Sequence, residues 1–334
     1  MKKIIKIISF VLSFIFICLT FCSCGSNPAA RKKGDGDIVL TVGGYEVPRD
    51  LYNYFSKGYR DQYLGDGKTD SDEDEKLLSE KIEEETRTSL SQIFAVYSIA
   101  ADYGITPDDE DIKSAAEAAK EEFIVSEYGG NEDAFYSDLA ESSMTVDVFD
   151  ILMTHDALQN ALYLRLTEEG VIITDADAAL EKFNSGELAR VKHILIKYDS
   201  SLYTYKDVLS DDAPAKKAAM DRAKEIFEEV KAGWDFDSLV AKYGEDIMMF
   251  RNSDGYYISR GNMENTFEDA AFSLEVGQYA EPVFTSEGVS IIKRLLVDEV
   301  YVADNLDDLV TAYAEGQFNI LIEERVAELE IVEK

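Results

Sequence analysis

Histidine has wide chemical scope, and this chain contains only two histidines, His155 and His193. His193 lies in the stretch Arg190 to Lys197, RVKHILIK, whose alternation and branched residues are typical of a β-strand. Side chains alternate between the two faces of a strand, so His193 shares a face with Val191 and Leu195. Such an imidazole can belong to a small polar network in an apolar pocket, or it can be a core residue that hydrogen-bonds inward. The strand alone favours the core residue.

Several other chemistries are excluded by composition and motif. All three cysteines, Cys18, Cys22 and Cys24, lie in the first 24 residues, so a chain processed at Cys24 retains no pair for a disulfide and no thiol for catalysis. There is no Gly-x-Ser-x-Gly elbow, phosphate-binding loop or zinc-type cysteine pair. Two histidines exclude a histidine-rich metal site. The sequence therefore predicts neither a metal nor a cofactor.

The hundred residues after the His193 strand have a recognisable order of elements. Hydrophobic periodicity predicts helices, and glycine-punctuated segments predict turns and strands. The predicted elements are a helix from 215 to 231, a short helix from about 233 to 243, a turn with a strand at 254–263, a helix at 267–274, and a closing strand at 288–293.

This order, together with four motifs, resembles a parvulin-type peptidyl-prolyl cis-trans isomerase domain over about residues 189 to 298. The motifs are VKHILIK, SRGNM, FEDAAFSL and EPVFTSEGVSIIK. The resemblance implies a small antiparallel sheet with surrounding helices and rotation of the peptide bond before proline. That bond has a barrier of roughly 18–20 kcal/mol, and a pocket that favours the twisted amide lowers it without a nucleophile.

The resemblance also assigns roles to individual residues. His193 matches the first of the family's two histidines, and Asp246 matches the residue that faces the twisting bond. Met263 and Phe267 match apolar residues that hold the proline ring, and Thr285 matches a hydroxyl near the histidine pair.

Two stretches depart from the family pattern. Ser290 stands where the second histidine is expected, and residues 252–257, NSDGYY, replace a glycine pair and the leucine after it. If the histidine pair mainly builds a hydrogen-bond network, Ser290 can donate one bond and activity survives at a reduced level. If the second imidazole sets the electrostatics around Asp246, the domain is a binding fold with little catalysis. The loop 198–203 contains no arginine, so we expect no preference for phosphorylated substrates.

The N-terminus predicts export and lipidation. Three lysines, at positions 2, 3 and 6, precede an apolar run to Phe21, as in a secretory signal that is too short for a committed membrane span. The run ends in a sequence that resembles a bacterial lipobox, with Cys24 as the favoured lipidated residue and Cys22 as the weaker alternative. This predicts an extracytoplasmic protein that is anchored to the cell membrane by lipid.

The acidic composition of the chain argues against binding to nucleic acid. The sequence contains 67 acidic and 33 basic residues, for a net charge of −34. A surface this acidic repels nucleic acid and anionic lipid. The family resemblance implies unfolded or proline-containing secreted polypeptides as partners.

The remainder of the chain reads as mainly helical. Its spacings, GITPDDEDIK and VIITDADAALEKFNSG, resemble the helical chaperone part of PrsA-type and SurA-type foldases, and His155 falls on an apolar helix as a structural residue. We predict an α+β protein with the parvulin-like domain inserted in a helical chaperone domain. The predicted segments are a signal peptide 1–23, a lipidated tether 24–37, a chaperone domain 38–186, an isomerase domain 187–298 and a returning helix 299–334.

Three functions remain open at this point. The first is a lipid-anchored isomerase and chaperone for secreted proteins, and the second is the same architecture acting only as a holdase. A solute-binding lipoprotein is less favoured, because it would alternate strands and helices around a parallel sheet. The family resemblance leaves a homodimer open as well.

Overall fold

The computed structural model describes residues 36–65, 67–142, 144–252 and 254–334. The predicted signal peptide, both candidate lipidation cysteines and most of the tether lie outside the described residues. Within them, no helix combines the length and apolar character needed to cross a membrane. The elements in chain order are β1 (Ile38–Val42), β2 (Tyr45–Pro48), α1 (Arg49–Leu64), α2 (Asp72–Asp102), α3 (Glu110–Tyr128), α4 (Glu132–Glu141), α5 (Val146–Glu168), α6 (Ala176–Lys182), a π-helical turn (Phe183–Glu187), β3 (Ala189–Lys197), α7 (Tyr205–Leu209), α8 (Pro214–Lys231), α9 (Phe236–Tyr243), α10 (Ile247–Arg251), β4 (Tyr256–Ile258), α11 (Asn265–Ser273), β5 (Val283–Phe284), β6 (Gly288–Leu295), α12 (Glu299–Asp304), α13 (Leu306–Glu328) and β7 (Ile331–Glu333).

The chain divides into two compact units. The described residues of segments 36–66, 79–169 and 322–334 form the first, which we call the helical unit. Segments 67–78 and 170–321 form the second, which we call the sheet unit. The divisions fall inside α2 and α13 as well as near residue 169, so they differ from the domain limits that the sequence suggested at 186 and 298. Those limits stay a prediction.

The helical unit contains a small sheet and a helical core. Strand β1 pairs antiparallel with β2 on one side and with β7 on the other. The sequence predicted only a returning helix over 299–334, whereas α13 ends at Glu328 and the last residues form the three-residue strand β7. Among the helices, the fully buried rings of Phe135 and Phe149 meet edge to face, with centroids 5.0 Å apart.

The sheet unit is built on a four-stranded sheet of order β4-β3-β6-β5, with every pairing antiparallel. Both sheets of the described chain are therefore antiparallel, which is not the architecture expected of a solute-binding lipoprotein. The combination of small antiparallel sheets with a majority of helix confirms the predicted α+β class.

Each face of the four-stranded sheet has its own apolar core. On one face, Ile194 and Ile196 pack with α8 and α9 side chains such as Ile226. On the other, Val191 and Ile292 pack with Phe267 of α11. The alternation predicted for the His193 strand is therefore correct, and the His193 side chain lies on the α11 side.

An acidic run opens the longest helix of the described residues. Helix α2 begins at Asp72 and has four acidic residues in its first turn. Carboxylates near a helix N-terminus interact favourably with the exposed N–H groups there, so this charge run starts the helix rather than preventing it.

Candidate active site

The pairing of β3 with β6 brings His193 and Ser290 together. In the antiparallel register Leu195 lies opposite Ser290, and His193 shares the face of Leu195. The Nδ1 atom of His193 is 3.2 Å from the Ser290 hydroxyl oxygen. Both residues are buried, at 6% and 1% exposure. The serine that replaces the family's second histidine is thus a direct hydrogen-bond partner of the first.

Asp246 reaches the other side of the same imidazole. The chain leaves α9 after Tyr243, and the Glu245 N–H donates to the Leu195 carbonyl at 3.0 Å, which holds this segment against β3. Asp246 then caps α10 by accepting from the Met248 N–H at 2.8 Å. Its Oδ2 atom is 2.9 Å from His193 Nε2.

Tyr256 on β4 completes the polar network. Its hydroxyl donates to Asp246 Oδ2, the oxygen that His193 also contacts. Its ring lies 5.8 Å from the His193 ring, tilted by 52°. The sequence analysis assigned no role to this tyrosine, which lies in the stretch 252–257 that departs from the family pattern.

Hydrogen bonding governs the charge state of this network. The hydrogen bond from His193, more than those from Tyr256 and Met248, holds the pKa of Asp246 well below its ordinary value. Burial, followed by the bond to Asp246, raises the pKa of Tyr256. At neutral pH the aspartate is therefore a carboxylate and the tyrosine a protonated donor. If His193 is neutral with its proton on Nε2, Nδ1 can accept from the Ser290 hydroxyl.

The apolar residues assigned by resemblance lie at the start of α11. Phe267 is 2% exposed, and its ring meets that of His193 edge to face, 5.4 Å away at 88°. Met263 lies four residues earlier and is 37% exposed. The network thus has an apolar ring beside it, and Met263 offers a thioether to solvent.

Glu268 fixes the turn that presents Met263. It is 2% exposed, and its carboxylate accepts from the backbone N–H groups of Gly261, Asn262 and Met263 at 2.8–3.0 Å. Three such bonds compensate for burial of the charge. The sequence interpretation missed this role, because FEDAAFSL contains two adjacent acidic residues, Glu268 and Asp269, and nothing local marks the buried one.

Thr285 has a turn-forming role in the structure. Its hydroxyl donates to the Gly288 carbonyl at 3.0 Å, and its own carbonyl accepts from the Tyr198 hydroxyl at 2.7 Å. The hydroxyl expected near the histidine pair is therefore engaged in the β5–β6 turn. The structure brings together His193, Asp246, Ser290 and Phe267, and adds Tyr256.

Metal ligation has no evident place in this arrangement. Across the part of the chain that the structure describes, no three His, Cys, Asp or Glu side chains are grouped so that they could hold a metal ion.

Comparison with known proteins places this site in a family. Residues 193–295 match the rotamase family model, described as a PPIC-type PPIASE domain. The peptidyl-prolyl cis-trans isomerase Pin1 of Malus domestica is 32% identical over 116 residues, which are 33% of this chain and 96% of that protein. The Pin1 of Arabidopsis thaliana is 30% identical over 118 residues and is covered to 97%.

A longer similarity extends beyond this segment. The foldase protein PrsA of Halalkalibacterium halodurans is 24% identical over 288 residues, which are 82% of this chain and 69% of that protein. Among solved structures, PrsA of Bacillus anthracis aligns over 72% of this chain and 96% of its own, with 21% identity and a TM-score of 0.34. The chain therefore belongs to the PPIC-type, or parvulin, family of peptidyl-prolyl cis-trans isomerases, and over most of its length it resembles the PrsA-type foldases.

Proposed function

We propose that this isomerase is a lipid-anchored foldase that acts on secreted polypeptides outside the cytoplasmic membrane. The observation that carries the proposal is the buried His193 imidazole, hydrogen-bonded to Asp246 and Ser290 beside the ring of Phe267. This is a polar network next to an apolar surface, which is what rotation about a prolyl bond requires. The leader with its lipobox-like end supports the location.

The reaction requires only substrate binding and electrostatic stabilisation from the protein. Amide resonance gives the barrier of roughly 18–20 kcal/mol, and each 1.36 kcal/mol removed from it is a tenfold gain in rate. In the proposed mechanism, Met263 and Phe267 hold the proline ring and exclude water from the amide. Asp246, kept ionised by its three donors, faces the twisting bond, while His193 and Ser290 fix its position. Thr285 shapes the neighbouring turn.

The second candidate is a holdase with weak or no isomerase activity. It is favoured by one observation, the presence of Ser290 at the position of the second family histidine. A serine hydroxyl 3.2 Å from His193 Nδ1 keeps one hydrogen bond of the network, but it cannot supply a second imidazole. In this case the domain would bind proline-containing segments without accelerating their isomerisation.

A peptide assay separates the two candidates. Isomerisation of succinylated tetrapeptides with alanine or glutamate before proline is measured for the soluble protein, for His193→Ala and for Ser290→His. We expect the unaltered protein to be active and His193→Ala to lower kcat/KM about 10- to 100-fold, because a hydrogen bond to a charged group contributes about 1.5–3 kcal/mol. A silent protein that Ser290→His activates would establish the holdase.

The anchor has its own test. In a bacterium that processes lipoproteins, we expect the protein in the membrane fraction with a lipid-modified Cys24 by mass spectrometry. Cys24→Ala should release it to the soluble extracytoplasmic fraction or leave it unprocessed, whereas Cys22→Ala should change nothing. The reverse result would make Cys22 the lipidated residue.

The helical unit is proposed to bind unfolded clients. Its acidic surface would keep the protein away from anionic lipid and leave apolar client segments to contact apolar side chains. Suppression of light scattering by an unfolding client, measured with the whole soluble protein and with His193→Ala, tests this role separately from catalysis. We expect equal suppression by both. The same preparations give the oligomeric state by light scattering, where a homodimer stays a prediction.

A further inference from the structure

The two departures from the family pattern lie at opposite ends of one hydrogen-bonded chain. Ser290 contacts His193 Nδ1, His193 Nε2 contacts Asp246, and Asp246 accepts from Tyr256. In the sequence, Tyr256 and Ser290 are separated by 34 positions and belong to different strands. The altered turn at 252–257 and the missing histidine are thus parts of the same network.

We propose that Tyr256 is a positioning residue for the isomerase reaction, because its hydroxyl fixes the Asp246 carboxylate and, through it, the His193 ring. The proposal rests on the proposed roles of Asp246 and His193 in catalysis. In this proposal, Tyr256 restrains the network that a second histidine at position 290 would otherwise restrain.

The donors around Asp246 explain why the phenol matters. Oδ1 accepts from the Met248 N–H at 2.8 Å, while Oδ2 accepts from His193 Nε2 at 2.9 Å and from Tyr256. Without Tyr256, each oxygen of the carboxylate keeps one donor, from Met248 and from His193. Tyr256 adds a third bond on the oxygen that contacts His193, which restricts movement of the carboxylate further.

The two ends of the network differ in rigidity. The Ser290 hydroxyl is uncharged and lies 3.2 Å from His193 Nδ1, against 2.9 Å between Nε2 and the Asp246 carboxylate, so Ser290 restrains His193 more weakly than Asp246 does. The Tyr256 ring packs in the cores on both sides of the sheet edge, and His193 lies between it and the edge-on ring of Phe267. The imidazole is therefore held mainly from the Asp246 and Tyr256 side.

Gly255 allows Tyr256 to reach this position. Its φ is +97°, and a Cβ atom there would lie 2.5 Å from the Val191 carbonyl oxygen. The turn can therefore press against β3, after which Tyr256 pairs with Val191 in the sheet. This close turn brings the Tyr256 hydroxyl within hydrogen-bonding distance of the Asp246 carboxylate.

A packing role alone is the competing explanation, since the ring contacts two apolar clusters. Tyr256→Phe separates the two, because it keeps the ring and removes only the hydroxyl. Tyr257→Phe is the matched control: Tyr257 follows on the same strand, faces the opposite side, and stacks on Tyr301 at 4.1 Å with 6° between the ring planes. It loses the same hydroxyl without touching the network.

The first experiment measures kcat/KM for a proline tetrapeptide from acid to neutral pH with both variants. We expect Tyr256→Phe to lower kcat/KM about tenfold, the size of one lost hydrogen bond to a charged group, and to move the acid limb to higher pH. The acid limb moves because the Asp246 carboxylate loses a hydrogen-bond donor. The other ionisable groups near Asp246 and Tyr256 are His193 and Glu287. Tyr257→Phe should keep kcat/KM within about twofold of the unaltered protein.

The second experiment does not depend on activity. The Asp246 side-chain carbon is followed by NMR as pH falls, and we expect it to titrate at higher pH in Tyr256→Phe than in the unaltered protein or Tyr257→Phe. This shift would support the positioning role even in a protein without isomerase activity, so failure of the proposed function is distinguishable. An unmoved titration together with a less than twofold change in kcat/KM would overturn the proposal, as would equal losses in both variants.

Discussion

The two histidines show how differently the two units treat the same buried side chain. His193 in the sheet unit is 6% exposed and His155 in the helical unit is 2% exposed. His193 has a partner on each ring nitrogen. His155 stacks on Tyr97 at 6.4 Å, and its hydrogen-bonding neighbours are the neutral Gln159 side chain and the Ile93 backbone rather than a carboxylate. Burial alone therefore does not distinguish the imidazole proposed for the active site from the one predicted to be structural; the groups that contact its nitrogens do.

The strongest test of this contrast makes the same substitution in both units. His193→Leu should lower kcat/KM about 10- to 100-fold, because Asp246 loses the donor that most lowers its pKa. His155→Leu should leave kcat/KM within about twofold, because this imidazole hydrogen-bonds with Gln159 and the Ile93 backbone and takes no part in the His193 network. A comparable loss of activity from both variants would mean that His193 acts through the fold.

The second test concerns acid stability. Burial lowers the pKa of His155 to about 4, below the ordinary value of 6.5. The unfolded chain then binds this proton at higher pH than the folded chain, so the stabilisation is complete above pH 6.5 and is lost as pH falls toward 4. Between pH 7.5 and 5 we expect a loss of about 2 kcal/mol from this one group.

Urea unfolding at the two pH values, with hydrogen exchange of α5 as the local probe, measures that loss. In His155→Leu the loss should be absent, whereas His193→Leu should keep it. The depressed pKa of Asp246 acts in a separate window, because a carboxyl of this kind loses its stabilisation only below its ordinary range near pH 4. If His155→Leu retains the full pH dependence between 7.5 and 5, another group is responsible.

A third test concerns how the sheet unit supports the turn of the proposed substrate pocket. The Gly316 backbone in α13 meets the turn that leads to Met263: a Cβ atom on Gly316 would lie 2.3 Å from the Arg260 carbonyl oxygen. Asn262 donates to the Ala312 carbonyl at 2.7 Å across the same contact. The pocket turn is therefore packed against a helix outside the segment that matches the family model.

Gly316→Ala should destabilise the protein by about 1 kcal/mol and raise KM for a prolyl peptide, because overpacking displaces the turn. This sign is diagnostic, since glycine to alanine inside a helix otherwise stabilises by about 0.5–1 kcal/mol. Thr311→Ala, at an exposed position of the same helix, should change stability by less than about 0.5 kcal/mol. A stabilised Gly316→Ala variant would show that the turn accommodates the added methyl group without overpacking.

These particulars also show what the sequence could and could not provide. Period-two alternation correctly placed His193 on the face of Val191, and helical periodicity found α8 to within one residue of its start. Both signals are local. The three-residue strand β7 is too short to show a hydrophobic periodicity. It forms because it pairs with β1, which lies near the other end of the sequence.

The site divides in the same way. Motif resemblance suggested His193, Asp246 and Phe267, which the structure brings together, because each lies within a recognisable run of residues. Tyr256 lies in a stretch without that pattern, and its contact with Asp246 depends on the register of β4 and on the close turn at Gly255. From the sequence alone, Gly316 is a residue of low helix propensity inside a helix. Its reason is visible only in the structure, where the Arg260 carbonyl lies against it.

The smallest expected effect concerns phosphorylated substrates, and it follows from the charges around the loop after β3. Burial, followed by nearby Tyr203 and the acidic groups Asp211, Glu264 and Asp207, raises the pKa of Tyr198 at the start of this loop. The same negative groups would oppose a phosphate that carries close to two negative charges. We expect kcat/KM for a phosphoserine-proline peptide to be about two- to threefold below that for its serine twin, with the difference shrinking in high salt as the charges are screened. A phosphopeptide that is isomerised faster than its unmodified twin would contradict this prediction and would indicate a cationic subsite elsewhere along the bound peptide.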